Sequence, residues 1–211
     1  MSSPARRYYE KMQAKNLTRE TEYCTPYQEL LLLLKQDKQV LKSIDSIQDK
    51  QIAKREMLPR YVDWVAGVLE GASPLENDEI FVTVLLWRID VGQLTEAVPL
   101  AMFAIEHDMQ TIDDFKRSLP CLIYEQFGEQ LEVSGDVGAA ELDKLTELAL
   151  AKLDDGRHAV DMPDPVRAKF LKAAGLFYMH HDNRIVAKQL FQAADGYYER
   201  VGVKKLLKEL G

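Results

Sequence analysis

The sequence predicts an all-α protein, a multi-helix domain that contains helix-hairpin units. Three observations support this class: capping signals precede the apolar stretches, apolar residues recur at helical spacing, and strand-like runs are rare. The chain has 211 residues, of which 46% are hydrophobic and 29% charged. A chain of this size and composition can bury a core without disulfides or a structural metal, so we expect a globular protein rather than a disordered one.

The first helix-start signal is the stretch TPYQ at Thr25–Gln28. The threonine caps the helix, the proline takes the first helical position, where its missing N–H is not needed, and the glutamine stands three residues after the cap. The stretch SPLE at Ser73–Glu76 repeats this pattern, and Asp164-Pro165 opens a third helix by the same reasoning. Each signal predicts the beginning of one helix.

Apolar stripes at helical spacing predict the bodies of the helices. Their members are Tyr27, Leu30, Leu31, Leu34, Leu41 and Ile44 in the first stripe, Tyr61, Trp64, Val65, Val68 and Leu69 in the second, and Leu142, Leu145, Leu148 and Leu153 in the third. The second stripe ends at Gly71, a suitable C-cap. The run Ile80–Trp87 contains β-branched residues, but the capping signal before it favours a helix over a strand.

The stretch LLWRIDVGQLTEAV, residues 85–98, predicts a helical hairpin with its turn at Asp90–Gln93. A related pattern recurs 90 residues later, and both units resemble a tetratricopeptide hairpin, in which small residues let two helices approach closely. The corresponding positions are Leu86, Trp87, Ala97, Leu100 and Ala104 in the first unit and Leu176, Phe177, Ala187, Leu190 and Ala194 in the second. Pro99 must kink its helix unless that helix begins near Thr95. We interpret Trp87 as a core aromatic rather than part of an active site.

The net charge of −7 is distributed unevenly along the chain. Residues 1–60 carry 12 Lys and Arg against 8 Asp and Glu, residues 61–165 carry 6 against 22, and residues 166–211 carry 9 against 4. We therefore expect a basic N-terminal helical segment over 1–60 and a helical-hairpin domain over 61–211 with an acidic middle and a basic C-terminal helix. An acidic protein of this kind can still bind nucleic acid through a basic end.

Three sets of basic residues are candidates for phosphate contact, since cationic side chains neutralise phosphates in a salt-sensitive and largely sequence-independent way. In the first set, three of the four members share one helix face at spacings of four residues. The sets are Arg6, Arg7, Lys11 and Lys15; Lys50, Lys54 and Arg55; and Lys204, Lys205 and Lys208. The alternative is that these residues only solvate helix surfaces.

Signals of catalysis are close to absent from the sequence. The acidic middle has many carboxylates, but none lies in a motif whose spacing specifies a metal site, and we expect neither a metal nor a cofactor. His180-His181-Asp182 is interpreted as a helix end, because adjacent residues of a helix point to different faces. A GxxxxGK phosphate loop and a GxSxG nucleophile motif are both missing. Whether the chain is an enzyme stays open at this stage, and we expect no catalysis by the chain alone.

The cellular compartment is predicted from three features. The N-terminus has no apolar segment typical of a signal peptide, and no apolar run reaches the roughly 18 residues that a membrane span needs. The two cysteines, Cys24 and Cys121, are far apart and suit a reducing environment. We expect a protein of the cytoplasm without a membrane partner.

Several segments together resemble one family, the small terminase subunits of temperate, contractile-tailed bacteriophages. They are MLPRYVDWVAGVLE at 57–70, VLLWRIDVGQLTEAVPLAMFAI at 84–105, DMPDPVRAKFLKAAGLF at 161–177 and GVKKLLKEL at 202–210, and the start Ser3-Pro4-Ala5-x-Arg7 is also similar. The segments span most of the chain except roughly residues 110–160. The combination is much more specific than any one segment.

The resemblance implies a subunit of the motor that packages phage DNA in the cytoplasm of the bacterial host. Small subunits of terminases recognise viral double-stranded DNA, assemble as ring-like homo-oligomers and work with a large subunit that carries the ATPase and usually the nuclease. It further implies that segment 1–60 contributes to DNA contact and oligomerisation. The family is often labelled the terminase endonuclease subunit, so a metal-dependent endonuclease is one alternative. A second alternative is a helical-repeat adaptor that binds proteins and has no role with DNA.

Overall fold

The computed structural model describes residues 25–71, 78–111, 117–133 and 136–211. Its helices are α1 (Pro26–Lys42), α2 (Ile47–Met57), α3 (Val62–Gly71), α4 (Glu79–Asp90), α5 (Leu94–Glu106), α6 (Leu119–Val133), α7 (Ala139–Leu150), α8 (Asp164–His180), α9 (Arg184–Tyr197) and α10 (Lys204–Glu209), with 3-10 turns at Leu58–Tyr61 and Glu199–Val201. The described ranges hold one isolated bridge, between Lys152 and His158, and no strand. The predicted all-α class is confirmed.

The chain divides between Ile47 and Gln48 into two compact units. The described part of the first unit is mainly α1, which begins as the sequence predicts. The backbone N–H of Gln28 donates to Thr25 Oγ1 at 3.3 Å, and the Gln28 side chain accepts from the N–H of Thr25 at 2.9 Å. The capping box is therefore complete, with Pro26 in the first turn.

The start of α4 depends on Asp78, which is fully buried. One carboxylate oxygen accepts from the N–H of Phe81 at 2.9 Å, and the other accepts from the indole N–H of Trp64 at 2.8 Å. Asp78 thus caps α4 and ties it to α3. The predicted signal at Ser73–Glu76 lies outside the described residues, whereas the predicted helix over Ile80–Trp87 is confirmed.

Two hairpins, α4–α5 and α8–α9, occupy the positions that the 90-residue repeat predicts. The turns follow one design: a left-handed residue, Gly92 or Asp182, bonds through its N–H to the carbonyl three residues back. The N–H of the next residue bonds to the carbonyl five residues back, which is the Schellman pattern that ends helices. Asp108 ends α5 in the same way. The tetratricopeptide likeness of the hairpins stays a prediction.

Small residues set the distance between helices in the second hairpin and its neighbour. Gly175 of α8 lies against Phe191 of α9, where a methyl group on the glycine would come within 2.5 Å of the ring. Gly128 of α6 lies over the backbone of Phe170 of α8, where a methyl group on the glycine would come within 3.3 Å of the Phe170 α-carbon. The rings of Tyr124 and Phe170 meet edge to face at 4.8 Å beside this crossing. Helices α6, α8 and α9 therefore form one tightly packed layer.

The local predictions at Leu153 and Asp164 need correction. Leu153 is not part of the helix marked by Leu142, because α7 ends at Leu150 and Leu153 lies half-exposed in the following loop. Asp164 is the first residue of α8 rather than its cap, which is Pro163. The condition stated for Pro99 is met, because α5 begins at Leu94, next to Thr95, and continues through Pro99 to Glu106. The proline is exposed, so water can satisfy the carbonyl that lacks its N–H donor.

Candidate nucleic-acid interface

The lysines of α10 form one cationic face. At 100° per residue, Lys204, Lys205 and Lys208 fall within an arc of about 100°, and three leucines of the segment fall on the opposite side. All three lysines are exposed and form no ion pair with a described residue. Their charges are therefore available to an anionic ligand.

Helix α9 places two further cations beside the end of the α10 segment, and sequence reasoning missed them. The guanidinium of Arg184 donates to the carbonyl of Glu209 at 2.9 Å, and Nζ of Lys188 donates to the carbonyl of Gly211 at 2.7 Å. Both bonds place the end of the α10 segment beside the first half of α9. The signal in the sequence was the four-residue spacing of Arg184 and Lys188, which has the same form as the spacing within the predicted sets. We call Arg184, Lys188, Lys204, Lys205 and Lys208 the C-terminal basic face.

The predicted set on α2 has a different environment. Lys54 forms an ion pair with Asp90 at 2.5 Å, and Arg55 donates to the carbonyl of Val91 at 2.8 Å. Gln51 donates to the carbonyl of Asp90 at 2.9 Å, so three side chains of α2 hold the end of α4. Lys50 is half-buried. The structure thus gives Lys54 and Arg55 a packing role that is separate from any DNA contact.

The remaining predicted set, Arg6, Arg7, Lys11 and Lys15, lies outside the described residues. The structure therefore brings together one of the three predicted sets, on α10, and joins it to α9. The set on α2 is anchored at the first hairpin.

The first hairpin is a packing element. Trp87 is 6% exposed and meets Tyr61 edge to face, with ring centroids 6.3 Å apart. Its interpretation as a core aromatic is confirmed. Arg88 is half-buried and donates to Gln93 Oε1 at 2.9 Å across the turn. Burial lowers the pKa of this guanidinium from its ordinary value, although Glu96 opposes the effect.

A buried cation organises the loop between α7 and α8. Arg167 is 1% exposed and donates to the carbonyls of Ala149 and Val160, the second at 2.7 Å. Its guanidinium lies 5.4 Å from the ring centroid of Tyr197, which also meets His158 edge to face. Burial, followed by the charges of Arg167 and Lys152, lowers the pKa of His158. This cluster fixes the loop onto α8 and α9.

Acidic and metal-binding side chains do not converge within the part of the chain that the structure describes. No three His, Cys, Asp or Glu residues there lie close enough together to hold a metal ion. His180 is the last residue of α8, His181 is its C-cap and Asp182 is the left-handed residue of the turn, which confirms the helix-end interpretation.

The fold and the C-terminal basic face define an all-helical protein that combines two matched hairpins with a cationic surface. The chain matches the model of the phage small terminase subunit over residues 31–165. It is also 31% identical over 215 aligned residues to the "Terminase, endonuclease subunit" of Escherichia phage P2, an alignment that covers 100% of this chain and 85% of the relative. No solved structure matches the chain.

The chain therefore belongs to the phage small terminase subunit family, as the sequence resemblance indicated, and this membership gives it a role in phage DNA packaging. Within the described ranges, no helix is both long and apolar enough to cross a membrane.

Proposed function

We propose that this chain is the DNA-recognising subunit of a phage terminase, which binds double-stranded viral DNA at the packaging site and presents it to the large subunit in the host cytoplasm. The observation that carries the proposal is the C-terminal basic face, where two hydrogen-bonded neighbouring helices carry five cations in a protein whose net charge is −7. A local cationic surface on an acidic protein directs an anionic polymer to one region.

The proposed contacts are with the phosphate backbone. Lys204, Lys205 and Lys208 neutralise phosphates, and Arg184 and Lys188 extend the contact along α9. Each neutralised phosphate contributes about −0.9 to the slope of log affinity against log salt concentration. Arg6, Arg7, Lys11 and Lys15 are proposed as a second phosphate contact, and Lys50, Lys54 and Arg55 as a lesser one, because the charge of Lys54 is already paired with the carboxylate of Asp90.

A charge-reversal pair tests the C-terminal basic face. Lys204→Glu/Lys208→Glu should weaken DNA binding at low salt and reduce the magnitude of the salt slope by about 1.8, since two phosphate contacts are lost. Lys144→Glu/Lys152→Glu is the matched control, because it changes the net charge equally at two exposed lysines of the acidic middle. Gel-shift titrations at several salt concentrations measure both variants. Equal weakening by the two variants would contradict the site.

The N-terminal set requires its own variant. Arg7→Glu/Lys11→Glu should weaken the same low-salt complex, because both side chains belong to one predicted helix face. Unchanged affinity would remove this set from the proposal and leave the C-terminal basic face in place.

The phage P2 relative is named as an endonuclease subunit. We propose that this chain contributes to DNA cleavage only by recognising the viral DNA, and that the large subunit cuts the DNA. The purified chain, incubated with linear viral DNA and Mg²⁺, should then leave the DNA intact. Cleavage that disappears when one carboxylate is changed to its amide would instead assign the cut to this chain.

We also propose that the subunit acts as a ring-like homo-oligomer, which sums individually weak phosphate contacts over many copies. Light scattering should give the mass of a closed oligomer, and that mass should increase when packaging-site DNA is added. The competing function, a protein-binding adaptor, is favoured by the two hairpins. It requires a monomer or dimer that does not bind DNA at about 50 mM salt, where even non-specific electrostatic binding is measurable.

A further inference from the structure

Helix α9 exposes a line of uncharged residues on the side that faces away from the core. We call this line the outward stripe of α9, and it consists of Ile185, Gln189, Gln192 and Gly196. Its members are all exposed, Ile185 to 75%. With the helical rotation of each residue, they fall within an arc of about 60° and span about 16 Å along the axis. The arc lies opposite the buried face of the helix, so these side chains project outward.

The first hairpin shows that the fold does not require such a stripe. The corresponding positions on α5 are Thr95, Pro99, Met102 and Glu106. They include a proline and a carboxylate but no amide. Thr95 Oγ1 also accepts from the N–H of Gly138 at 3.0 Å, so this side of α5 is used inside the protein. Hairpin packing therefore does not explain the two exposed amides of α9.

The cations beside the stripe are also specific to the second hairpin. Arg184 and Lys188 have Leu94 and Val98 as their counterparts on α5, and those two residues are buried at 0% and 1% exposure. Because Arg184 and Lys188 bond the end of the α10 segment, the outward stripe of α9 borders the C-terminal basic face. The one carboxylate of α9, on Asp195, lies outside the stripe, and one of its oxygens is buried. An anionic polymer on the basic face therefore meets no carboxylate along the stripe.

We propose, on the basis of the DNA-recognising function proposed above, that the outward stripe of α9 enters the major groove and reads base edges. The major groove is about 12 Å wide and admits an α-helix. The C-terminal basic face then holds the phosphate backbone beside the groove. Phosphate contacts fix the position of a protein on DNA, whereas contacts with base edges give it sequence preference.

The side chains of the stripe have the chemistry that base reading needs. A glutamine amide both donates and accepts, so Gln189 and Gln192 can each pair with N6 and N7 of adenine. The side chain of Ile185 suits the methyl group of thymine. A methyl group added to Gly196 would meet no neighbouring atom within 4 Å, so packing does not require this glycine. Its missing side chain lets the DNA come close to the helix backbone.

Helix α1 supplies a matched control. Gln36 and Gln39 are exposed and stand three residues apart, as Gln189 and Gln192 do. Helix α1 belongs to the other compact unit, and it also exposes the carboxylate of Glu29. Gln36→Ala/Gln39→Ala therefore removes two exposed helix amides without changing the outward stripe of α9.

The probe is a library of short DNA duplexes of random sequence, from which the full chain selects its preferred sites. The wild-type chain should enrich a sequence that contains A·T pairs. Gln189→Ala/Gln192→Ala should reduce the preference for the selected duplex over a scrambled one by about tenfold or more, because bidentate base contacts are lost. Its affinity for the scrambled duplex and its salt slope should stay as in the wild type, since no phosphate contact is removed. The α1 pair should retain the full preference.

Gln189→Glu and Gln192→Glu test base reading without removing a side chain of similar size. Glutamate forms helices as well as glutamine does, so both variants should fold. A carboxylate only accepts hydrogen bonds, and its partner in the major groove is N4 of cytosine. Each variant should therefore change the selected base at one position from adenine to cytosine. A side chain with a merely structural role would not change which base is selected.

The outcomes distinguish base reading from phosphate binding. Loss of the preference in the α9 pair, with the preference retained in the α1 pair, supports the proposal. A preference that the α9 pair keeps, or that both pairs lose equally, would overturn base reading by α9 and leave the phosphate contacts in place. A wild-type chain that binds every duplex equally would overturn it in the same way. Absence of DNA binding by every protein would remove the proposed function itself, and base reading with it.

Discussion

Arg167 shows how a full charge is accommodated in this core. The side chain is 1% exposed, and its guanidinium bonds the carbonyl of Ala149 in the last turn of α7. Helix C-termini carry partial negative charge and unpaired carbonyls. The end of α7 therefore stabilises part of the buried positive charge of Arg167, as a carboxylate would. The second bond, to Val160, holds the loop that leads into α8.

Replacing Arg167 should therefore destabilise the fold strongly. Arg167→Ala leaves two buried carbonyls without donors and opens a cavity beside Tyr197, and we expect the free energy of unfolding to fall by about 3 kcal/mol. Urea denaturation measures the change. Lys169→Ala, an exposed position on the same helix, should shift the free energy by no more than about 0.5 kcal/mol. A loss for Arg167→Ala as small as that of the control would show that the two bonds do not stabilise the loop.

His158 makes the same loop sensitive to pH. Its folded pKa is lower than the ordinary 6.5, first because of burial and then because of Arg167 and Lys152. At pH 8 the ring is neutral in both the folded and the unfolded chain. As the pH falls through 6.5, the unfolded chain takes up a proton that the folded chain resists, so the free energy of unfolding decreases until the folded pKa is passed.

His158→Gln should lose this component of the pH dependence. Urea denaturation of the wild-type chain and the variant between pH 8 and pH 5 gives the comparison, and the difference between the two curves should narrow on the acid side of pH 6.5. Parallel curves over the whole range would mean that the protonation of His158 is not linked to folding.

Single residues mark the limit of what the sequence reveals. Nothing in the local sequence separates Arg167 from an exposed arginine, because its acceptor at Ala149 lies 18 positions earlier. Lys54 fitted a basic patch for the same reason, since its partner Asp90 is 36 positions away. By contrast, the Thr25 cap and the His180–Asp182 helix end were predicted correctly, because their bonds close within a few residues.

At the scale of the elements, two helix pairs differ in how closely they approach. The α8–α9 pair depends on Gly175, which faces the ring of Phe191 in the core. A methyl group added to Gly67 of α3, by contrast, would meet no neighbouring atom within 4 Å. The two glycines therefore serve different purposes: one permits a close helix contact, and the other only lowers helix propensity.

Alanine at these two glycines should act in opposite directions. Gly175→Ala forces the buried Phe191 ring to move and should lower the free energy of unfolding by about 1–3 kcal/mol. Gly67→Ala gains helix propensity without a clash and should raise it by about 0.5–1 kcal/mol. Thermal and urea unfolding of both variants provide the measurement. Stabilisation by Gly175→Ala would show that the α8–α9 contact is looser than the structure indicates.

Element prediction succeeded where the periodicity was local and repeated. The hairpins followed from the 90-residue repeat, and α4 followed from its apolar run despite its β-branched residues. The exact ends of the helices were harder to predict. Leu153 continues the leucine spacing of α7, but the helix ends at Leu150 and Ala151 already belongs to the loop. The three lysines of the C-terminal basic face were predicted, because they lie close together in one helix. Arg184 and Lys188 were not predicted, because only the fold brings α9 beside the end of the α10 segment.

At the scale of the whole molecule, the charge blocks of the sequence do not coincide with the two compact units, which meet between Ile47 and Gln48. The described unit from Gln48 onward contains the two hairpins, the acidic middle and the C-terminal basic face. The core of this unit is formed by residues of the unit's own helices, among them Phe81, Ile89, Phe127, Phe170 and Phe191. We therefore expect this unit to fold without residues 1–47.

Removal of residues 1–47 gives the most informative test of how the chain divides its work. The fragment 48–211 should keep a helical circular-dichroism spectrum and a cooperative unfolding transition, because it retains both hairpins and α6. It loses Arg6, Arg7, Lys11 and Lys15, so its DNA complex should show a salt slope smaller in magnitude by about 3.6 if each of the four meets one phosphate. The remaining slope belongs to the C-terminal basic face and to the lesser contact of Lys50, Lys54 and Arg55, and adding Lys204→Glu/Lys208→Glu to the fragment should reduce it further. A fragment with the full slope of the intact chain would place all of the phosphate contacts after residue 47, whereas a fragment that unfolds without cooperativity would show that residues 1–47 complete its core.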